Sequence, residues 1–366
     1  MKIVIFGLTI SSSWGNGHAT LWRGLCKALI QSGHNIVFYE RNVPYYAEMR
    51  DLHEIPGGRL ELYDDWQSIR RRACTDLADA DVTIITSYCP DSLAAAELVL
   101  AQCRALRVFY DLDTPVTLAR LEAGECVPYI AASGLGDFDL VLSYSGGRAL
   151  NEFRTRLGAR HVAPLYGHVD PDLHHPTPPL PHYRSDLSYL GTYSEDRQDA
   201  LEALLVVPAK LLPDRKFLIG GAQYPQHFPW SSNIYFVRHL PPAEHAAFFC
   251  SSRLTLNVTR RAMVERGWCP SGRLFEAAAC GAPIVSDVWE GLDAFFQPNQ
   301  EIILAGGSSD VVAALELGDH ELRAMARRAR ERTLEEHSSR RRADELIQLL
   351  ESPSGTQRGL LASAEA

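Results

Sequence analysis

Short apolar runs alternate with stretches of helical periodicity along the chain, a pattern expected of parallel sheets wound by helices. In the first half, runs at 2–6, 35–39, 60–63, 82–86, 107–110, 140–143 and 161–163 predict strands. Helices are predicted at 19–32, 66–74, 92–103, 117–122 and 148–157. The second half repeats the scheme. Its strands are predicted at 187–189, 216–219, 234–237, 254–257, 284–286 and 301–304, and its helices at 195–206, 243–250, 272–280 and 309–315. An Arg/Glu-rich helical pattern fills 320–350, with a break near His337-Ser338-Ser339. Its charges of both signs at i,i+4 mark a solvated face.

Between the halves the chain reads HVDPDLHHPTPPLPHYR, with five prolines and four histidines in 17 residues. Proline at that density predicts a stiff, extended connector. The expected organisation is an α/β chain of two Rossmann-like, doubly wound domains, 1–167 and 186–318, joined by a Pro-rich linker at 168–185. Helices follow over 319–351, then a frayed tail at 352–366.

Composition changes this picture little. With 46% hydrophobic and 22% charged residues in 366, each half can bury its own core. A formal net charge of −9 argues against a nucleic-acid partner and against broad binding to acidic membranes. The eight cysteines form no C-x-x-C pair and sit mostly in apolar elements, which suits buried thiols in a cytoplasmic protein. The opening strand is too short for a signal sequence or a membrane span. Peripheral contact with a membrane carrying a lipid-linked acceptor stays open.

Chemistry concentrates at strand ends, where open α/β sheets bind ligands. The helix start at Ser271-Gly272-Arg273, with Leu274 behind it, offers backbone N–H groups, a hydroxyl and a guanidinium, which suit a diphosphate. Glu276, one turn on, is placed to accept from ribose hydroxyls, so a sugar nucleotide is the ligand implied. Gly191-Thr192-Tyr193, with Arg197 after them, form a second candidate phosphate turn. Asn257, Arg260 and Arg261 cluster at another strand end, and the sequence does not say which arginine faces the ligand.

In the first half, Gly15-Asn16-Gly17-His18 precedes a helix. The glycines allow close approach of a ligand, and the positive helix end favours a neutral, proton-accepting His18. This is no G-x-G-x-x-G fingerprint, although Glu40 lies near the position of a ribose-binding acid, so a dinucleotide cofactor is the weaker reading. Asp111 and Asp113 follow a strand. They read as cleft-facing carboxylates, as metal ligands, or, for Asp113-Thr114-Pro115, as a helix cap. His174-His175 suggest a metal at first sight, but adjacent histidines in a Pro-rich connector rarely converge on one ion.

The run RLFEAAACGAP (273–283) resembles the donor-site helix and strand of GT-B glycosyltransferases. The longer string from NVTR through SDVWEGLDAFF to QPNQEI resembles the spore-maturation (CgeB-like) branch of that group, with the close match over 255–305. The resemblance implies two domains facing each other across a cleft, a last helix crossing back to the first domain, and a nucleoside-diphosphate sugar as substrate with no cofactor or metal. It implies Ser271, Gly272 and Arg273 on the diphosphate, Glu276 on the ribose, and His18 or Asp113 as base. One departure stands out. Family-4-type relatives carry a second Glu seven residues before the ribose Glu, and here that position is Cys269.

The leading expectation is a metal-independent, cytoplasmic glycosyltransferase, of the hexosyl class, acting on a glycan, lipid-linked or small-molecule acceptor. A nucleotide-sugar epimerase or mutase on the same fold is the alternative, and a non-catalytic sugar-nucleotide binder the third.

Overall fold

The computed structural model describes residues 1–102 and 104–351; Cys103 and the tail expected at 352–366 lie outside the described residues. The chain divides into two compact units. The first is Met1–Tyr166 together with the helix Ser339–Glu351, and the second is Gly167–Ser338.

The first unit holds seven strands: β1 (Lys2–Gly7), β2 (Asn35–Arg41), β3 (Arg59–Tyr63), β4 (Val82–Thr86), β5 (Leu106–Asp111), β6 (Leu140–Ser143) and β7 (Val162–Pro164). They pair in parallel in the order β3-β2-β1-β4-β5-β6-β7. Parallel strands have both faces covered by crossover helices, so they need unbroken apolar runs, and every residue of Val82–Thr86 is buried. Phe6, Tyr39, Phe109 and Phe153 lie in the core on one side of the sheet. Burying each such side chain contributes about 1.5–3 kcal/mol. The winding reverses between β1 and β4, and their carboxyl ends flank the switch-point crevice.

The second unit repeats the plan with β8 (Ser185–Leu190), β9 (Phe217–Gly221), β10 (Ile234–Arg238), β11 (Ser252–Asn257), β12 (Ile284–Ser286) and β13 (Ile303–Leu304). All pair in parallel, in the order β10-β9-β8-β11-β12-β13, with the reversal between β8 and β11. Leu187, Phe217, Leu254 and Val285 build its core.

Two features differ from the sequence-based expectations, and a third, the break near His337-Ser338-Ser339, falls where it was expected. The helix expected at 195–206 begins as a 3₁₀ turn, widens into a π turn at Glu202–Val206 and continues to Leu211. Pro208 inside it has no N–H for the carbonyl four residues back, which a wider turn accommodates. The Pro-rich segment is no free-standing connector. It packs within the second unit, pinned by Thr177 N–H to Cys250 Sγ (3.3 Å) and Leu180 N–H to Ser251 Oγ (2.8 Å), and it buries His174 completely. The pattern at 320–350 is two helices, Asp319–Glu336 in the second unit and Ser339–Glu351 in the first. The second of these packs on the helix Gly17–Gln31. At the break, Ser338 bridges in parallel to Val169.

Candidate functional site

In the second unit the loops after β8 and β11 meet at the switch point. Tyr189 is the penultimate residue of β8, and Gly191 follows the strand. A Cβ on Gly191 would lie 2.7 Å from both Arg273 Nη2 and Tyr189 Oη, so only glycine lets the loop approach the guanidinium. Gly221, at the end of β9, supports the same turn: its φ is +154°, and a Cβ there would sit 2.1 Å from the Gly191 carbonyl.

Arg273 leads the helix Gly272–Ala279, whose N-cap Ser271 accepts from the Arg273 N–H through its side chain. The guanidinium donates Nη1–H to Asn257 Oδ1 (3.2 Å) and lies 5.0 Å from the centroid of the Tyr189 ring. Burial and the neighbouring Arg197 push its pKa down, against the opposing pull of Tyr189 and Glu276. Among the described residues no carboxylate lies within ion-pairing distance of it. Arg197 is in the same position: its Nη1–H donates to the Thr192 carbonyl (3.1 Å), and its buried Nε has no partner. The Tyr189 hydroxyl is also buried without a partner. Two arginines without carboxylates beside a glycine turn and a helix N-terminus make a strong site for an anion with several oxygens.

Other candidates take different places. Arg260 is paired to Asp196 (Nε–Oδ2, 2.9 Å) and Arg261 to Asp199 (2.7 Å), so the arginines left for an anion are 197 and 273. Asn257 is buried, and its Nδ2 donates to Ser286 Oγ (3.0 Å) while its Oδ1 holds Arg273. It orients the guanidinium, where direct ligand contact was expected. The Leu274 side chain lies wholly in the core, and its N–H donates to the Ser271 carbonyl, so it offers a ligand nothing. The Gly272 N–H has no protein acceptor among the described residues and stays available. Tyr193 turns its ring into an aromatic cluster with Tyr224 and Phe228.

Glu276 is 15% exposed at its side chain, and its carboxylate accepts no hydrogen bond from the described residues. It faces His245 Nδ1 at 3.7 Å and His174 Nε2 at 4.0 Å. Burial lowers the pKa of both histidines, that of His245 to about 4, against the pull of Glu276.

Sequence reasoning missed Tyr189, Tyr224 and Asp287. The Tyr224 hydroxyl donates to the Gly191 carbonyl (3.2 Å). Asp287 accepts from the Thr259 N–H (2.8 Å) and hydroxyl (2.9 Å), tying the ends of β11 and β12, and burial raises its pKa. The only sequence signal was their position at strand ends.

The first unit gathers His18, Tyr88 and Asp113 at the carboxyl ends of β1, β4 and β5. Buried Glu40 sets the path out of β1. It accepts from the Ile10 and Ser11 N–H groups (2.8 and 3.0 Å) and from the Thr9 and Ser11 hydroxyls, which leaves no room for a ribose-binding role. Gly15 has φ +57°, and Asn16 caps the helix by accepting from the His18 N–H (3.0 Å). Gly17 has open space where a Cβ would stand. His18 Nδ1 is buried with no partner, and burial lowers the ring's pKa while the Asp113 charge opposes the shift. The cause is burial, where the helix dipole was expected. Asp113 sits at the N-cap position of the helix Thr114–Glu122 without a capping bond. Its Oδ2 accepts from the Tyr88 hydroxyl (3.2 Å), and the Tyr88 backbone is strained at φ +62°.

Asp111, expected to touch substrate, is fully buried. It accepts from the Asp113 N–H (2.9 Å), and burial pushes its pKa up to about 6. A residue so sealed shapes the turn, where contact with substrate was expected.

Residues 197–348 match the family described as "Glycosyl transferase-like". No curated protein matches the sequence. Among solved structures, the chain is similar to a sucrose-phosphate synthase from Thermosynechococcus elongatus, at 14% identity and a TM-score of 0.71, over 96% of this chain and 98% of that one. It is similar to HepE of Anabaena in complex with UDP and glucose, at 14% identity and a TM-score of 0.65, over 96% and 100%. An alpha-glucosyltransferase in complex with UDP-glucose and DNA containing an abasic site gives 12% identity and a TM-score of 0.69, over 96% and 99%. The fold is GT-B, and the stretch 197–348 is similar to the glycosyl transferase-like family.

Proposed function

We propose that this protein is a glycosyltransferase that moves a sugar from a nucleoside-diphosphate sugar to an acceptor hydroxyl. The observation that carries the reading is the pair Arg197 and Arg273, both without a carboxylate partner, beside Gly191 at the switch point of the second sheet. The UDP and UDP-glucose named for HepE and the alpha-glucosyltransferase support the same donor class and a hexosyl group.

In the reaction the bond between the sugar's anomeric carbon and the departing diphosphate oxygen breaks, and its electron pair goes to that oxygen. A bond from the acceptor oxygen to the anomeric carbon forms. The acceptor proton goes to His18, which burial keeps neutral and which Asp113 stabilises once it is charged. Arg197, Arg273 and the Gly272 N–H meet the negative charge that develops on the diphosphate, the electrostatic contribution such a step needs. Glu276 accepts from the ribose hydroxyls.

Metal independence belongs to this reading, because two guanidiniums supply the positive charge a metal would bring. The spore-maturation branch rests on the sequence strings at 255–305 alone. Cytoplasmic placement rests on composition; no helix among the described residues is long and apolar enough to cross a membrane. The acceptor's chemistry is left to experiment. Incubating the protein with a panel of nucleotide sugars and an acceptor library tests the reading, and release of nucleoside diphosphate with a glycosylated product is the expected result. A changed sugar without release, or no turnover with any donor, would defeat it.

A further inference from the structure

We propose that His174, His245 and Glu276 form a binding site for a divalent transition-metal ion, with Zn²⁺ as its type, and that the ion competes with the nucleotide for Glu276. The metal assignment stands on the geometry. The competition rests on the reading of Glu276 as the ribose ligand.

The three side chains come from three elements of the second unit. His174 sits on the turn that starts at Asp170, His245 on the helix Pro242–Cys250, and Glu276 on the helix Gly272–Ala279. His174 Nε2 and His245 Nδ1 are 3.4 Å apart, His245 Nδ1 and Glu276 Oε2 3.7 Å, and His174 Nε2 and Glu276 Oε1 4.0 Å. A tetrahedral Zn²⁺ with ligands at about 2.0–2.2 Å spaces its donor atoms about 3.3–3.5 Å apart. The two carboxylate distances end on different oxygens; taking one ligand atom from each residue, all three lie within 4.8 Å of one another, so the set must tighten to hold the ion. His245 Nε2 faces the Leu240 carbonyl at 3.3 Å. With the proton on that nitrogen, Nδ1 turns its lone pair to the cluster, the outer-shell arrangement common to metal-binding histidines.

Two imidazoles and one carboxylate select Zn²⁺, Co²⁺ or Ni²⁺ over Mg²⁺ and Ca²⁺, which require oxygen ligands. Glu276 supplies the negative charge and has no hydrogen bond to give up. The sequence pattern His174-His175 misdirects, because the second histidine is exposed and turned to the Pro176 carbonyl (3.2 Å). The site takes one histidine of the pair and recruits its partner from a helix some seventy residues on.

The test uses full-length protein stripped with chelator and dialysed, then titrated with Zn²⁺ against a chromophoric zinc indicator. One ion per chain is expected, with affinity falling at least about tenfold in His245→Gln and in Glu276→Gln. Co²⁺ added to the parent should give the intense visible absorption of a four-coordinate ion and should not do so with Glu276→Gln. This second readout holds even where His245→Gln fails to fold. UDP binding, measured with and without Zn²⁺, should weaken at least about tenfold in the parent but not in His245→Gln, which controls for Zn²⁺ held by the phosphates alone. Equal Zn²⁺ affinity in parent and variants would overturn the site. Zn²⁺ that binds but leaves UDP affinity unchanged, or raises it, would overturn the competition. Loss of Zn²⁺ in the variants with no ribose dependence at Glu276 would leave the metal site standing and remove the ribose reading.

Discussion

The Arg273 guanidinium is aimed by Asn257: Nη1–H donates to the amide oxygen at 3.2 Å, and the Asn257 Nδ2 is in turn held by Ser286 at 3.0 Å. A neutral acceptor fixes the direction of the charge without cancelling it. An aspartate at 257 would hold the arginine as firmly and neutralise it. The arrangement therefore preserves a cation at the mouth of the helix Gly272–Ala279.

Arg273→Ala should remove most of the thermal stabilisation that a nucleoside diphosphate confers. A charge-assisted hydrogen bond to phosphate contributes about 1.5–3 kcal/mol, so affinity should fall by roughly one to two orders of magnitude. Asn257→Asp should weaken the same ligand while keeping Arg273 in place. Isothermal titration with UDP checks both, and variants that bind as tightly as the parent would remove the diphosphate assignment.

Activity should persist in excess EDTA, because Arg197, Arg273 and the helix N–H groups carry the positive charge. Assays with and without chelator, and with Mg²⁺ or Mn²⁺ restored, check this. Loss on chelation with recovery on metal would mean that a metal takes part in the reaction.

Glu276→Gln should keep the fold and weaken a ribonucleotide by roughly 1–3 kcal/mol, the range for hydrogen bonds to a charged group. The loss should be smaller for the deoxyribo analogue, which offers one fewer hydroxyl. Affinities of both sugars for both proteins decide it, and equal losses would mean that Glu276 does not read the ribose.

His18 must be neutral to accept a proton, and burial holds its pKa below the ordinary histidine value of 6.5. kcat/KM should therefore stay level as pH falls through 6.5 and decline only below it. His18→Ala should lower kcat by about 10²–10⁴-fold with little change in donor affinity. A pH profile on the parent and the variant tests the assignment; a limb at or above 6.5, or an active variant, would contradict it.

Asp111 carries a raised pKa, about 6 in the fold against 3.8 unperturbed. Below 3.8 it is protonated in both folded and unfolded chains and costs nothing. As pH rises towards 6 the unfolded chain releases the proton that the fold retains, and stability falls by up to about 3 kcal/mol at about 1.4 kcal/mol per unit. Asp111→Asn should therefore raise Tm at pH 7.5 and have little effect near pH 4. Parallel melts of both proteins at the two pH values measure the difference.

Tertiary structure reassigned several residues that sequence position had grouped together. Asn257, Arg260 and Arg261 share one strand end and read alike, yet the first aims Arg273 and the other two are bound to Asp196 and Asp199. Leu274 and Asp111 lie beside ligand-facing positions but point into the core, because helix and turn geometry send neighbours in opposite directions. Partners such as Tyr88 for Asp113, or His174 and His245 for Glu276, come from distant elements and leave no mark in local spacing.

The alternation of apolar runs with helical stretches determined two parallel α/β sheets, because strands covered on both faces need unbroken apolar runs and crossovers need helices. The glycine at 191 and the helix start at 271–273 were legible for the same local reason, since backbone geometry at strand ends and helix termini restricts residue type. Only the tertiary structure decided which arginines keep their charge and which histidines of the Pro-rich segment, His168 and His174, turn to the interior. Pairing, burial and charge compensation are properties of contacts between distant residues, and a local sequence pattern does not encode them.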